Sequence, residues 1–357
     1  MRAHDAPDPE SSEPSATSAG EHRQSSRDAT VDVGLTAYRR ATYIREAIES
    51  VLAQTFDRWH LTVCDNGLGG GEIQKAVEPY TADPRVSYQA TGRHLSLAEN
   101  WTYALNQGRA RYVAVLNDDD RWHPNYLHSR VEALDLHPEC GFAFSEWVEV
   151  DELGNVSSRA PVRFTEGVLP RELLAGWLTR QNLVVPPAIL VRRSAAETVG
   201  AYFDEAWQYC DWELWVRLAA RFPAYYLARQ DNDFRRHQAA YTFTERESAE
   251  HLLAMFDHIE GHFRRELDGF TLSPATRARN RSQILLNIAS DTHRAGGWKA
   301  SNVLYRRALR VYPPTFFTYT SLTMVGRSLL GRRGYRVASR LFRILRGGGA
   351  SGGSAPA

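Results

Sequence analysis

The sequence predicts an α/β fold, a mostly parallel sheet flanked by helices, followed by a smaller helical region. Three observations predict it. Short apolar strands alternate with amphipathic helices between Val31 and Leu116, the pattern of a doubly wound sheet. The run Tyr112-Val113-Ala114-Val115-Leu116 reads as a buried strand and ends abruptly in Asn117-Asp118-Asp119-Asp120. In an α/β sheet the carboxyl ends of strands are where ligands sit. From Thr292 onward there are twelve Arg and Lys and no Asp or Glu, which sets a basic region apart from the rest.

In chain order, residues 1 to 30 are rich in Ser, Pro, Ala and Glu and lack the apolar core of a signal peptide, so they are expected to be disordered. Val31 to Thr36 is a short strand. Ile44, Ala47, Ile48, Val51 and Leu52 then fall on one helical face. Leu61 to Cys64 is a second strand, closed by Asp65-Asn66-Gly67 and a turn through Gly71. These glycines do not form a G-x-G-x-x-G fingerprint and read as a flexible turn. Ile73 to Tyr80 is expected to be helical, Val86 to Gln89 a strand, and Leu97, Trp101, Ala104 and Leu105 mark a further amphipathic helix. Pro186 to Arg193 reads as a strand, and residues 224–228 as another.

With 357 residues the chain is long enough for two domains, and 43% hydrophobic content with nine Trp can fill a sizeable core. The expected division is a domain over 31–240, a basic helical region over 241–346 and a disordered tail over 347–357. Cys64, Cys140 and Cys210 lie far apart, which suggests neither a disulfide framework nor a zinc site and fits a reduced, cytoplasmic protein. No stretch reaches the ~18 apolar residues needed to cross a bilayer.

Three adjacent carboxylates repel one another. A divalent cation would neutralise them and could hold a second anion, such as a diphosphate. An Asp-rich turn capping the following helix explains the same residues. From the motif alone both readings stand.

In sequence order the motifs resemble those of a family 2 glycosyltransferase of the GT-A fold. Val31 to Leu52 is similar to that family's opening strand and helix, which here runs from Tyr43 through Phe56. Cys64-Asp65-Asn66-Gly67 resembles its nucleotide-binding turn, and Asn117-Asp118-Asp119-Asp120 its D-x-D metal motif. Val199 to Glu205 is similar to its glycine loop, Cys210-Asp211-Trp212-Glu213-Leu214-Trp215 to its acid-containing helix start, and Arg235-Arg236-His237 to its closing basic element. The resemblance covers about residues 31 to 240. Thr36-Ala37-Tyr38-Arg39 departs from the usual Pro-Thr-Tyr-Asn, Asn117 from the first Asp of D-x-D, and Cys210 from a Glu.

The resemblance implies an inverting transfer of a sugar from a nucleotide-diphosphate sugar to an acceptor hydroxyl on a glycan, a lipid-linked sugar or a natural product. It implies that Asp119 and His237 hold Mg2+ or Mn2+, and that Asp118 contacts the ribose or the metal's outer shell. Asp65 and Arg93 would contact the base, with main-chain help from Ala37 and Tyr38. Asp211 would be the general base.

The residues taken alone leave other readings open. Asp211 precedes the apolar face Trp212, Trp215, Val216 and Ala219 and suits a helix N-cap as well as a base. A lone His237 suits a structural role, and Arg235 with Arg236 suits a solvated turn or a phosphate site. Trp147, Trp177 and Trp207 suit a sugar-binding wall or the core.

In the basic region, helices are expected over 245–265, 275–294 and 299–311. Val337, Leu341, Ile344 and Leu345 then alternate with Arg336, Arg340, Arg343 and Arg346. Such a helix can lie on an anionic membrane surface, as a peripheral contact, or form the arginine-rich outside of an add-on domain. No recognised nucleic-acid-binding fold presents this charge, so nucleic acid is not an expected partner. Two alternatives accompany the transferase. A nucleotidyltransferase would need a glycine-rich loop after the first strand, where Thr36 to Arg40 has no glycine. A non-catalytic nucleotide-sugar-binding or scaffold protein would share the fold.

Overall fold

The computed structural model describes residues 29–38, 41–67, 71–202, 209–237, 249–294, 297–317 and 321. The segments expected to be disordered at either end and the basic helix expected around 336–346 lie outside the described residues, apart from residues 29 and 30. The chain divides into two compact units. One runs to residue 246 with 265–268 added, and the other takes 247–264 and the chain from 269.

In the first unit, β1 (Val31–Ala37), β2 (Trp59–Asp65), β3 (Val86–Ala90) and β4 (Tyr112–Asn117) form a parallel block in the order β3-β2-β1-β4. Every residue of β1 and β2 is buried, as continuous apolar runs require when both faces of a sheet are covered. The register sets Ala37 beside Asp65 and Thr36 beside Asn117, so three strands end together at one edge.

Helix α1 (Ile44–Leu52) buries the predicted face Ile44, Ala47, Ile48 and Val51. Helix α2 (Glu72–Val77) ends in a 3₁₀ turn, Glu78–Tyr80. Helix α3 (Leu97–Leu105) starts in a capping box, with Ser96 and Glu99 each bonding the other's backbone N–H. It lies so close to β1 that a Cβ on Gly34 would sit 2.3 Å from the Ala104 carbonyl oxygen.

The rest of the sheet is mixed. After β5 (Arg121–Trp122) and α4 (Tyr126–Leu136) come β6 (Phe142–Val150), β7 (Val156–Arg159) and β8 (Gly167–Leu169). Helix α5 (Arg171–Leu178) leads through a 3₁₀ turn at Pro186–Ala188 to β9 (Ile189–Arg192). That strand runs antiparallel between β4 and β6. The strand expected from Pro186 is thus present over Ile189–Arg192, preceded by the 3₁₀ turn.

Helix α6 (Arg193–Val199) and helix α7 (Cys210–Arg221) precede β10 (Ala224–Arg235), which is parallel to β6. β10 is longer than the strand expected at 224–228, because its far end pairs with β5, Asn232 beside Trp122 and Asp233 beside Arg121. A bidentate pair anchors it to α4, with both Arg130 terminal nitrogens 2.8 Å from the Asp231 carboxylate and Arg130 fully buried.

In the second unit, α8 (Ala249–Glu266), α9 (Pro274–Arg294) and α10 (Trp298–Val311) enclose a core that includes Phe256, Leu285, Leu286, Ala289 and Ala308. Among the described residues, no helix is long and apolar enough to cross a membrane.

Candidate active site

The first group of side chains gathers where β1, β2 and β4 end. Asp65 is buried, with Oδ1 accepting the Gly67 N–H at 2.7 Å and Oδ2 the Tyr88 hydroxyl at 2.7 Å. The Tyr38 N–H donates to Asp118 Oδ2 at 3.2 Å, and the Ala37 carbonyl accepts the Asn66 N–H at 2.9 Å. Four of the sequence-predicted residues, Ala37, Tyr38, Asp65 and Asp118, thus meet at one sheet edge. Arg93 lies on the loop after β3, exposed and paired with Glu99 at 2.6 Å.

Asn117, standing where the related motif has an acid, is a hydrogen-bond hub. Its Oδ1 accepts from Thr36 Oγ1 at 3.2 Å and from Trp101 Nε1 at 3.1 Å, while its Nδ2 donates to Asp120 Oδ2 at 3.0 Å. The three acids that follow are all buried, and each has a different partner. Asp118 takes the Tyr38 amide. Asp119 Oδ2 lies 2.9 Å from His237 Nε2. Asp120 Oδ1 accepts the Arg235 N–H at 3.0 Å. Burial first, and then the neighbouring Asp119 charge, hold the Asp120 carboxyl well above the usual carboxylate range.

Arg235 belongs to β10 and is buried, not part of a solvated turn. Its Nε donates to the Asp119 carbonyl at 2.9 Å, and a terminal nitrogen pairs with Glu46 at 2.7 Å. The guanidinium lies 4.4 Å from the Tyr43 ring centroid, and that ring lies 5.3 Å from His237. Arg236 instead is exposed and pairs with Glu149.

A carboxylate oxygen and an imidazole nitrogen that converge at 2.9 Å are donors that fit a divalent cation. Among the described residues, no group of three or more His, Cys, Asp or Glu side chains is arranged to hold a metal. Asp119 and His237 supply two such donors and not a complete ligand set.

Asp211 has its own contacts. The helix starts at Cys210, so Asp211 is the second helical residue and not the N-cap, which is Tyr209. Its Oδ1 accepts the Trp212 N–H at 2.6 Å and its Oδ2 the Asn182 side-chain amide at 2.8 Å. Burial pushes its carboxyl up to about 7, against the downward pull of those two bonds. The expected apolar face understates α7, which is buried from Cys210 to Ala220 with a Glu213–Arg217 ion pair inside it.

Trp147 and Trp177 are half-buried, and Trp177 packs edge-on against Phe164. Trp207 lies outside the described residues. Sequence reasoning missed Glu46, Trp101 and Asn182 as site residues and gave Asp120 no role of its own. Asp120 was visible as the third acid of the run, and Glu46 as the polar side of an amphipathic helix. Asn182 carries no local signal, because its partner is reached only through the fold.

Residues 32–200 match the model of the family described as Glycosyl transferase family 2. Protein CgeD of Bacillus subtilis is 28% identical over 207 residues, covering 53% of this chain and 46% of CgeD. This chain thus spans less than half of that relative's length. The crystal structure of S. aureus TarS in complex with UDP-GlcNAc superposes with a TM-score of 0.56 at 14% identity, over 78% of this chain and 79% of that one. The mannosyltransferase PcManGT of Pyrobaculum calidifontis, in complex with GDP-Man and Mn2+, gives 0.50 at 14% identity, over 91% and 92%. At such identities these two likenesses speak for the fold alone.

Proposed function

We propose that the chain is a family 2 glycosyltransferase that moves a sugar from a nucleotide-diphosphate sugar to an acceptor hydroxyl with inversion, a reading supported by the family match over residues 32–200 and by the GT-A fold. The observation that carries this reading is the meeting of Asp119 and His237, 2.9 Å apart, beside the strand ends that hold Asp65 and Asp118. The UDP-GlcNAc bound to TarS and the GDP-Man and Mn2+ bound to PcManGT support a nucleotide-sugar donor and a divalent ion.

Asp65, held by Gly67 and Tyr88, presents a fixed acceptor to the base, with Arg93 at the same end of the sheet. Asp118, tied to the Tyr38 amide, faces the ribose. Asp119 and His237 would hold Mg2+ or Mn2+, which when bound supplies positive charge against the departing diphosphate. Asp211 takes the proton of the acceptor hydroxyl as that oxygen attacks the anomeric carbon. With a carboxyl pushed up to about 7, it is ionised in a useful fraction near neutrality and basic enough to hold the proton. One displacement inverts the anomeric centre, and no second carboxylate nucleophile takes part.

Calorimetric titration of UDP and GDP, each with and without Mn2+, tests the donor side. Binding of either one that strengthens with Mn2+ is expected. No binding of either, even with Mn2+, rejects the transferase reading. Metal-dependent binding without hydrolysis of any nucleotide sugar would favour the non-catalytic binding protein.

A further inference from the structure

We propose that Asn182 is a positioning residue for Asp211, fixing the direction of its carboxylate and keeping it free to take a proton. The proposal rests on the reading of Asp211 as the base. Asn182 lies in the segment between α5 and the Pro186 turn, 29 positions from its partner. Its Nδ2 donates to Asp211 Oδ2 at 2.8 Å while its Oδ1 accepts the Val184 N–H at 3.2 Å. An amide has one donating and one accepting end, so the Val184 bond settles which end meets the carboxylate. A flipped amide would turn its oxygen on the carboxylate and lose both bonds.

Helix α7 pins the segment that carries Asn182. Trp212 Nε1 donates to the Leu178 carbonyl at 3.0 Å and Trp215 Nε1 to the Val184 carbonyl at 3.1 Å. These bonds fall on either side of Asn182 and come from residues one and four positions beyond Asp211. The distance from the amide to the carboxylate is therefore set by the helix that bears the carboxylate. With Oδ1 held by the Trp212 N–H at 2.6 Å, both oxygens have one bond in place. Each keeps a further lone pair for a hydroxyl proton.

Among the described residues, few charges compete at this site. Glu213 of the same helix is neutralised by Arg217. Tyr202, from the segment after α6, and Cys210 are both buried, and burial raises both groups, which keeps them neutral. On the packed helices, Arg193 of α6 is committed to Asp32, and Arg171 of α5 bonds the Ala220 carbonyl at the far end of α7. Glu172 of α5 and Glu197 of α6 are exposed. The neutral amide of Asn182 is then the side-chain donor that favours the ionised carboxylate against burial.

Carbon-13 NMR titration of Asp carboxyls in the full chain tests this, with Asp211→Asn assigning the signal. Asn182→Ala is expected to raise the Asp211 midpoint by about one pH unit, the loss of one bond to a charged group. Asn182→Asp keeps the shape and the acceptor for Val184 but sets a second carboxyl against the first, so the rise should be larger. An unchanged midpoint overturns the proposal, and Asn182→Asp decides alone if the alanine variant fails to fold. Turnover of Asp211→Asn on a nucleotide sugar the wild type hydrolyses separates the two ideas. Full turnover there rejects the base, whatever the Asn182 variants do to the midpoint.

Discussion

His237 Nε2 and Asp119 Oδ2 lie 2.9 Å apart although 118 positions separate them in the chain. The short strand β5 makes the meeting. It follows the Asp118–Asp120 turn directly and pairs with the far end of β10, which ends two residues before His237. The turn and the histidine are thus brought side by side by one antiparallel register.

Asn117, the last residue of β4, and Asp119, inside that turn, should separate in their effects. Asp119→Ala is expected to abolish Mn2+-dependent nucleotide binding, measured by calorimetry. Asn117→Ala should leave most of that binding and instead cost about 1–3 kcal/mol of stability, because its amide serves Thr36, Trp101 and Asp120. Equal loss of binding from both, or none from Asp119→Ala, rejects the metal assignment.

Asp211→Asn should remain folded and bind the donor, with turnover lower by about 10²–10⁴. In the wild type only the ionised carboxyl can take a proton, so the rate should climb with pH and level off above about 7. Stability should move the other way. A carboxyl whose folded value lies above its unfolded value, about 4, is held protonated by the fold, and the resulting cost grows as pH rises from there to about 7. Asp211→Asn does not bear that cost. Its melting temperature should therefore gain on the wild type across that window, and a constant difference would contradict the buried, raised carboxyl.

Arg235→Ala removes the donor to the Asp119 carbonyl and one of the two arginines paired with Glu46, which keeps Arg121. The expected loss is about 2–4 kcal/mol in chemical denaturation, with weaker nucleotide binding. Arg235→Lys should recover only part of it, because one ammonium cannot reproduce the fork that reaches Glu46 and the carbonyl together. Full recovery by Lys would show that charge alone matters there.

Gly34→Ala should lower stability by about 1–3 kcal/mol, since the new Cβ would meet the backbone of Ala104 rather than a movable side-chain tip. A neutral effect on the melting temperature would mean that α3 can lift off β1 at little cost.

Much of the first unit was legible in the sequence because its signals are local. Strands covered on both faces must be continuous apolar runs, and β1, β2 and β4 read that way. A helix with one buried face repeats its apolar residues at helical spacing, as Ile44, Ala47, Ile48 and Val51 do. Acids placed directly after a strand, such as Asp65 and Asp118, must stand at the edge of the sheet. The boundaries were less legible. β10 runs on to Arg235 because its register with β5 and β6 carries the pairing there, not because residues 229–235 look apolar.

Strand order and register are what the sequence did not contain in any local form. They decided that β9 runs antiparallel inside the sheet, that Arg235 is buried beneath the acidic turn, and that His237 reaches Asp119. They also placed Asp211 inside the first turn of α7, with Asn182 as its partner from a distant segment. The sequence by itself determined which side chains can do chemistry and which strand ends present them. The tertiary structure alone decided their partners, because a hydrogen bond depends on positions within a few ångströms, and those positions are set by segments that meet only in the folded chain.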